Sequence, residues 1–123
     1  MSRGFGNLEA DEILEKNDNA LSLIFTISEE SQYFDGHFPG YPILPAVAQI
    51  DIVINFASRY FGTGFIISQI KRTKFTKIIT PSLILLLKIK KNKNMLNFEI
   101  TTADGSETYS SGTIVQPSEA EDI

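Results

Sequence analysis

A chain of 123 residues, 42% of them hydrophobic, has the length of one domain and enough apolar side chains for a real core, so a single domain over residues 1–123 is expected. With no cysteine and only one histidine, His37, it has no disulfide framework, thiol nucleophile, thiolate-ligated metal or multi-histidine zinc site, which leaves carboxylates, hydroxyls, lysines and one imidazole to do any chemistry. A net charge of −4 sets the overall field against nucleic acid, although Lys71, Arg72, Lys74 and Lys77 form a local basic stretch.

Residues 1–8 surround Phe5 with glycines and polar side chains and read as a loose lead-in. Their start lacks the basic and apolar regions of a secretory signal, and no later run is long enough to span a bilayer, so a cytoplasmic protein with no membrane partner is expected. Glu12 to Lys16, the turn Asn17-Asp18-Asn19 and the alternating run Ala20 to Ile27 predict a hairpin whose second strand is half buried. From Ser28 to Pro45 the periodicity vanishes. Gly36, Pro39, Gly40, Pro42 and Pro45 punctuate a loop too long for an ordinary connection, and such loops tend to be functional.

Pro45 suits a helix start, and Ala46 to Ala57 has neither Gly nor Pro before Gly62, which predicts a helix of about four turns over Pro45 to Tyr60. Its β-branched residues would suit a strand too; length and the flanking Pro and Gly favour the helix. Apolar residues on nearly every side, from Val47 and Ala48 to Phe56 and Ala57, indicate burial all round. Strands are then expected over Phe65 to Phe75, Ser82 to Lys91, Met95 to Thr101 and Thr108 to Val115, joined by turns short enough for an antiparallel meander. Residues 116–123 are acidic and read as a loose tail. The fold class is α+β, a curved antiparallel sheet around one central helix.

Three features carry candidate chemistry. Asp51, between Ile50 and Ile52, is costly to bury unless something offsets it, and a carboxyl group kept there could donate a proton near neutral pH. The alternative is an aspartate at a solvent-facing helix edge, or one held by Asn55 and backbone donors. His37 alone could be an ordinary loop histidine, but Pro39, Pro42 and Pro45 each fix a backbone angle and stiffen the loop that holds it. The helix start at Pro45 to Val47 offers unpaired N–H groups, most plausibly that of Ala46, to an oxygen that gains charge; an ordinary capped start is the alternative.

Together, the run YFDGHFPGYPILPAVAQID, Tyr33 to Asp51, resembles the active-site segment of the hotdog-fold 3-hydroxyacyl-acyl carrier protein dehydratases of fatty-acid synthesis. It is most similar to the shorter dehydratases of aryl-polyene pathways, and the likeness continues more weakly through Lys74-Phe75 and Thr80-Pro81. The resemblance implies that His37 removes the C2 proton, that Asp51 protonates the leaving 3-hydroxyl, and that the Ala46 N–H holds the thioester carbonyl. Phe38, Pro39, Gly40, Pro42, Pro45 and Val47 would form the substrate loop. Ala46 departs from the family's glycine; the N–H survives, but the added methyl crowds whatever approaches.

The resemblance also implies a homodimer, or a higher oligomer or a heterodimer with another hotdog subunit, in which the histidine of one subunit meets the acid of the other. It further implies an acyl carrier protein as partner and no cofactor or metal, the substrate being carried on phosphopantetheine. Lys71, Arg72, Lys74 and Lys77 are candidates for docking the acidic carrier, with a solvated strand face as the other reading. A non-catalytic hotdog subunit that binds acyl chains, and an acyl thioesterase on the same fold, are the competing functions.

Overall fold

In a computed structural model, residues 8–34 and 43–117 are described. Six strands and one long helix occur among them: β1 (Glu12–Lys16), β2 (Ala20–Thr26), α1 (Ala46–Phe61), β3 (Gln69–Phe75), β4 (Ile84–Asn92), β5 (Met95–Thr102) and β6 (Thr108–Val115), with a single 3-10 turn at Gln32–Phe34. The strands form one sheet in the order β1-β2-β4-β5-β6-β3, every neighbour antiparallel. This is the expected α+β hotdog arrangement, with β3 leaving the meander to take the edge beyond β6.

Register explains where the core lies. Leu21 pairs with Ile89, Leu23 with Leu87 and Phe25 with Leu85, so alternate residues of β2 and β4 turn one apolar face towards the helix. The pairs Leu87 with Ile100, Ile89 with Phe98 and Leu96 with Ile114 carry that face across β5 and β6. The helix meets it through Phe56, whose ring lies edge-on to Phe25 with centroids 5.7 Å apart. Ala48 to Ile54, Phe56 and Ala57 are all buried, which accounts for the helix being apolar nearly all round. Val47 is the departure, at 69% exposed.

The helix ends follow their sequence signals. Pro45 is the N-cap and gives no side-chain cap, while Gly62 closes the helix at φ 74° with its N–H on the Ser58 carbonyl. At the β5–β6 turn, Asp104 accepts from the Thr102 hydroxyl and from both the N–H and hydroxyl of Ser106, which holds its carboxyl down to about 2.

Two expected strands start later than their patterns suggest. Residues 65–68 precede β3 because the partner strand β6 has ended: Ser68 donates to Val115, its last residue, and the carbonyls of Gly64 and Ile66 accept from the Gln116 side chain instead. Ser82 sits at φ 70° and donates to the Ile27 carbonyl, so β4 begins only at Ile84. Neither end of the described chain is loose at its border. The Leu8 carbonyl accepts from Arg59, and Gln116 is buried, with its N–H on the Asn94 carbonyl.

β3 carries a bulge. Its register slips between Lys71 and Lys74, so Arg72 and Thr73 together face Gly112, with Arg72 at φ 57°. A Cβ at Gly112 would lie 2.7 Å from Thr73 Cγ2 and 3.0 Å from the Phe98 ring. Gly112→Ala is therefore expected to destabilise the fold by about 1–3 kcal/mol, as overpacking does. Urea unfolding measures this, and a loss under about 0.5 kcal/mol would show that the bulge yields freely.

Candidate active site

The site is built around the second turn of α1. Its lead-in is pinned to the sheet side by Leu44, which donates its N–H to the Ile79 carbonyl and is itself buried. Pro45 then directs the chain into the helix, and its carbonyl accepts from both Ala48 and Gln49. The first helical amides, Ala46 and Val47, have no acceptor within the helix, and both residues are exposed. A pair of outward N–H groups at the positive end of the helix dipole suits an oxygen that gains negative charge.

Asp51 lies one turn further along and is only 7% exposed. Its Oδ2 accepts from Asn55 Nδ2 at 2.9 Å, and the same amide nitrogen donates to the Asp51 carbonyl at 2.7 Å. Oδ2 also accepts from the Tyr33 phenol at 3.4 Å. The sequence left a solvent-facing aspartate and one held by Asn55 as alternatives; the second describes the structure, with a buried carboxyl offset by donors from two elements.

Tyr33 and Gln49 received no role in the sequence reading. Tyr33 is buried on the short Gln32–Phe34 turn, and its phenol is pushed up by that burial first and then by the charge of Asp51, with Arg59 opposing. The signal for it was a tyrosine placed four residues before His37 in an otherwise apolar pair, Tyr33-Phe34. Gln49 is buried in the helix, where Nε2 donates to the Leu44 carbonyl at 3.3 Å and Oε1 has no partner among the described residues.

His37, Phe38, Pro39, Gly40 and Pro42 lie outside the described residues. The structure therefore brings together Pro45, Ala46, Val47 and Asp51, all on one short stretch of α1 and its lead-in. The four basic candidates sit in different settings. Lys77 pairs with Glu107, just before β6, and that carboxylate raises its ammonium above the usual range. Lys71, Arg72 and Lys74 are on the bulged edge strand, where Lys71 is half-buried and the other two are exposed. Among the described residues no group of acidic or histidine side chains could hold a metal ion, and no helix is long and apolar enough to cross a membrane.

The six-stranded antiparallel sheet and its order, with the one long helix among the described residues, define a hotdog-fold protein. The family model for the ApeI dehydratase, ApeI-like, matches residues 13–113. The chain belongs to this ApeI-like dehydratase family.

Among similar proteins, the 3-hydroxyacyl-acyl-carrier-protein dehydratase FabZ of Levilactobacillus brevis is 31% identical over 99 residues, which cover 72% of this chain. The match spans 66% of that relative, a little under two thirds of its length. The dehydratase heterocomplex ApeI:P from Xenorhabdus doucetiae contains a chain that superposes with a TM-score of 0.77 at 30% identity, covering 89% of this chain and 97% of that one. An uncharacterized protein from Erwinia carotovora subsp. atroseptica superposes with a TM-score of 0.72 at 28% identity, covering 93% and 96%.

Proposed function

We propose that the chain eliminates water from a 3-hydroxyacyl thioester carried on acyl carrier protein, giving the trans-2-enoyl thioester. The observation that carries this reading is Asp51: a carboxyl group buried on an apolar helix and held there by hydrogen bonds from Asn55 and Tyr33. A structural position there would be filled more cheaply by an apolar side chain.

In the proposed reaction the thioester carbonyl docks on the Ala46 N–H, where the helix dipole stabilises the enolate-like charge. His37 takes the C2 proton; the electron pair forms the C2–C3 double bond and expels the 3-hydroxyl, which leaves as water with a proton from Asp51. One proton is taken, one is given and the C3–O bond breaks between them, steps that an imidazole and a carboxyl group can serve by themselves. Ala46 in place of a smaller residue keeps the donor but adds a methyl at the entry, which favours a narrow acyl group beside the carbonyl.

A second hotdog subunit completes the proposed site. Among the described residues β3 pairs with β6 alone, and the apolar side chains of Ile66, Ile70, Phe75 and Ile78 are exposed along or beside it, with Val47 exposed at the helix start. That surface suits a second copy of the chain. A different hotdog subunit is the other reading, favoured by the description of the Xenorhabdus relative as a heterocomplex. Arg72 and Lys74, exposed on the same strand, are the cations left to meet an acidic carrier protein.

The test is to incubate the purified chain with 3-hydroxyacyl thioesters of graded length, aliphatic and aryl, on carrier protein and on coenzyme A. Enoyl absorbance is expected. Release of free thiol with no enoyl product would replace the reading with a thioesterase, and turnover that appears only after a second hotdog chain is added would make the chain a heterodimer subunit.

A further inference from the structure

We propose that Tyr33 is a positioning residue for this elimination, its phenol and the Asn55 amide together holding Oδ2 of Asp51 and meeting the charge that develops on the carboxyl group as it gives up its proton. The inference rests on Asp51 acting as the acid. It concerns how that acid is oriented and why it gives up its proton.

Two donors from separate elements converge on one oxygen. Asn55 reaches Oδ2 from the next turn of α1 at 2.9 Å, and Tyr33 reaches it from the segment before the long loop at 3.4 Å. A protonated carboxyl group has one carbonyl-type oxygen and one hydroxyl oxygen. Two donors on Oδ2 favour that oxygen for the carbonyl role when the group is protonated. Rotation of the carboxyl group that would exchange the two oxygens breaks both bonds at once.

Tyr33 is itself held firmly. Its ring is 3% exposed, its N–H donates to Ser31 Oγ, and the turn before it is closed by Phe34 on the Ser31 carbonyl and Ser31 on the Ser28 carbonyl. Burial is the largest influence on the phenol and outweighs the opposing Arg59, so the phenol keeps its proton and remains a donor. It does not compete with Asp51 as a source of protons.

The consequence is differential. Before proton transfer the phenol and the Asn55 amide bond to a neutral carbonyl-type oxygen; afterwards the same donors face a carboxylate and the bonds become charge-assisted. A contact of 3.4 Å is long for O–H···O and has room to shorten as the charge develops. Interactions that strengthen towards the transition state raise kcat rather than tighten substrate binding.

Tyr33→Phe removes one buried oxygen and keeps the ring. It is expected to lower kcat by about tenfold with KM unchanged, the size of losing one charge-assisted bond in the transition state. The same change made in an Asp51→Asn background should cost less than about twofold, since there is no carboxylate to stabilise. To separate chemistry from packing, a fluorotyrosine at position 33 restores the hydroxyl and should return kcat to the parent value or above it.

A kcat for Tyr33→Phe within twofold of the parent, with Asp51→Asn inactive, overturns the role of Tyr33 and leaves that of Asp51 standing. Phenylalanine and fluorotyrosine variants of equal activity overturn it as well. Turnover retained by Asp51→Asn removes the acid itself, and the positioning role with it.

Discussion

Asp51→Asn is expected to lower the rate of water elimination by about 100- to 10,000-fold, the usual contribution of a positioned general acid. The substitution is nearly isosteric. The carboxamide oxygen can take the place of Oδ2 and keep the bonds from Asn55 and Tyr33, which puts the new NH2 where Oδ1 was. That amide has protons but none it can release, so the leaving hydroxyl receives no proton and the C3–O bond must break unassisted. Burial of an ionisable group is relieved at the same time, so the unfolding midpoint should stay level or rise. The measurement is kcat by enoyl absorbance alongside thermal unfolding. A variant that turns over within about threefold of the parent would show that the acid lies elsewhere.

The helix that positions this group was legible because its limits are written in local chemistry: Pro45 fits the helix start and Gly62 supplies the left-handed stop. β2 and β4 were legible because one face of each is buried, and alternation records that directly. Residues 65–68 misled for the same reason. Phe65 and Ile67 are partly buried and alternate with exposed Ile66 and Ser68, yet among the described residues no strand lies opposite them, and side-chain burial alone does not make a ladder.

Pairings between distant residues were not legible. Lys77 meets Glu107 from 30 positions away, which removes it from the basic stretch it belongs to in the sequence. Tyr33 likewise reaches Asp51 across 18 positions, and no periodicity encodes that approach. Asn55 could be foreseen, since four residues on a helix bring side chains together on one face. The site was thus readable where it runs along one helix and hidden where it depends on how the preceding segment folds back on it.

Phe56→Ala should cost about 3–5 kcal/mol of folding free energy, the largest stability effect expected from a single core truncation here. Phe56 is 1% exposed, and its ring is where the helix meets the sheet: Phe25 of β2 packs edge-on at 61°, and Tyr60 stacks on it at 6.4 Å. The Arg59 guanidinium lies 5.8 Å from its centroid, adding a cation–π contact at the helix surface. Alanine would leave a cavity that helix and sheet cannot both close, because Ile52 and Val53 of the helix and Leu23, Leu85 and Leu87 of the sheet already belong to the same fully buried core. The unfolding midpoint is expected to fall by roughly 10–20 °C for a chain of this size. Asp51 and Asn55 ride on the same helix, so turnover per folded molecule at low temperature should fall less than stability does, and the activity should collapse with the unfolding transition. A loss below about 1 kcal/mol would mean that the helix is held to the sheet by other contacts and that Phe56 is not the centre of that packing.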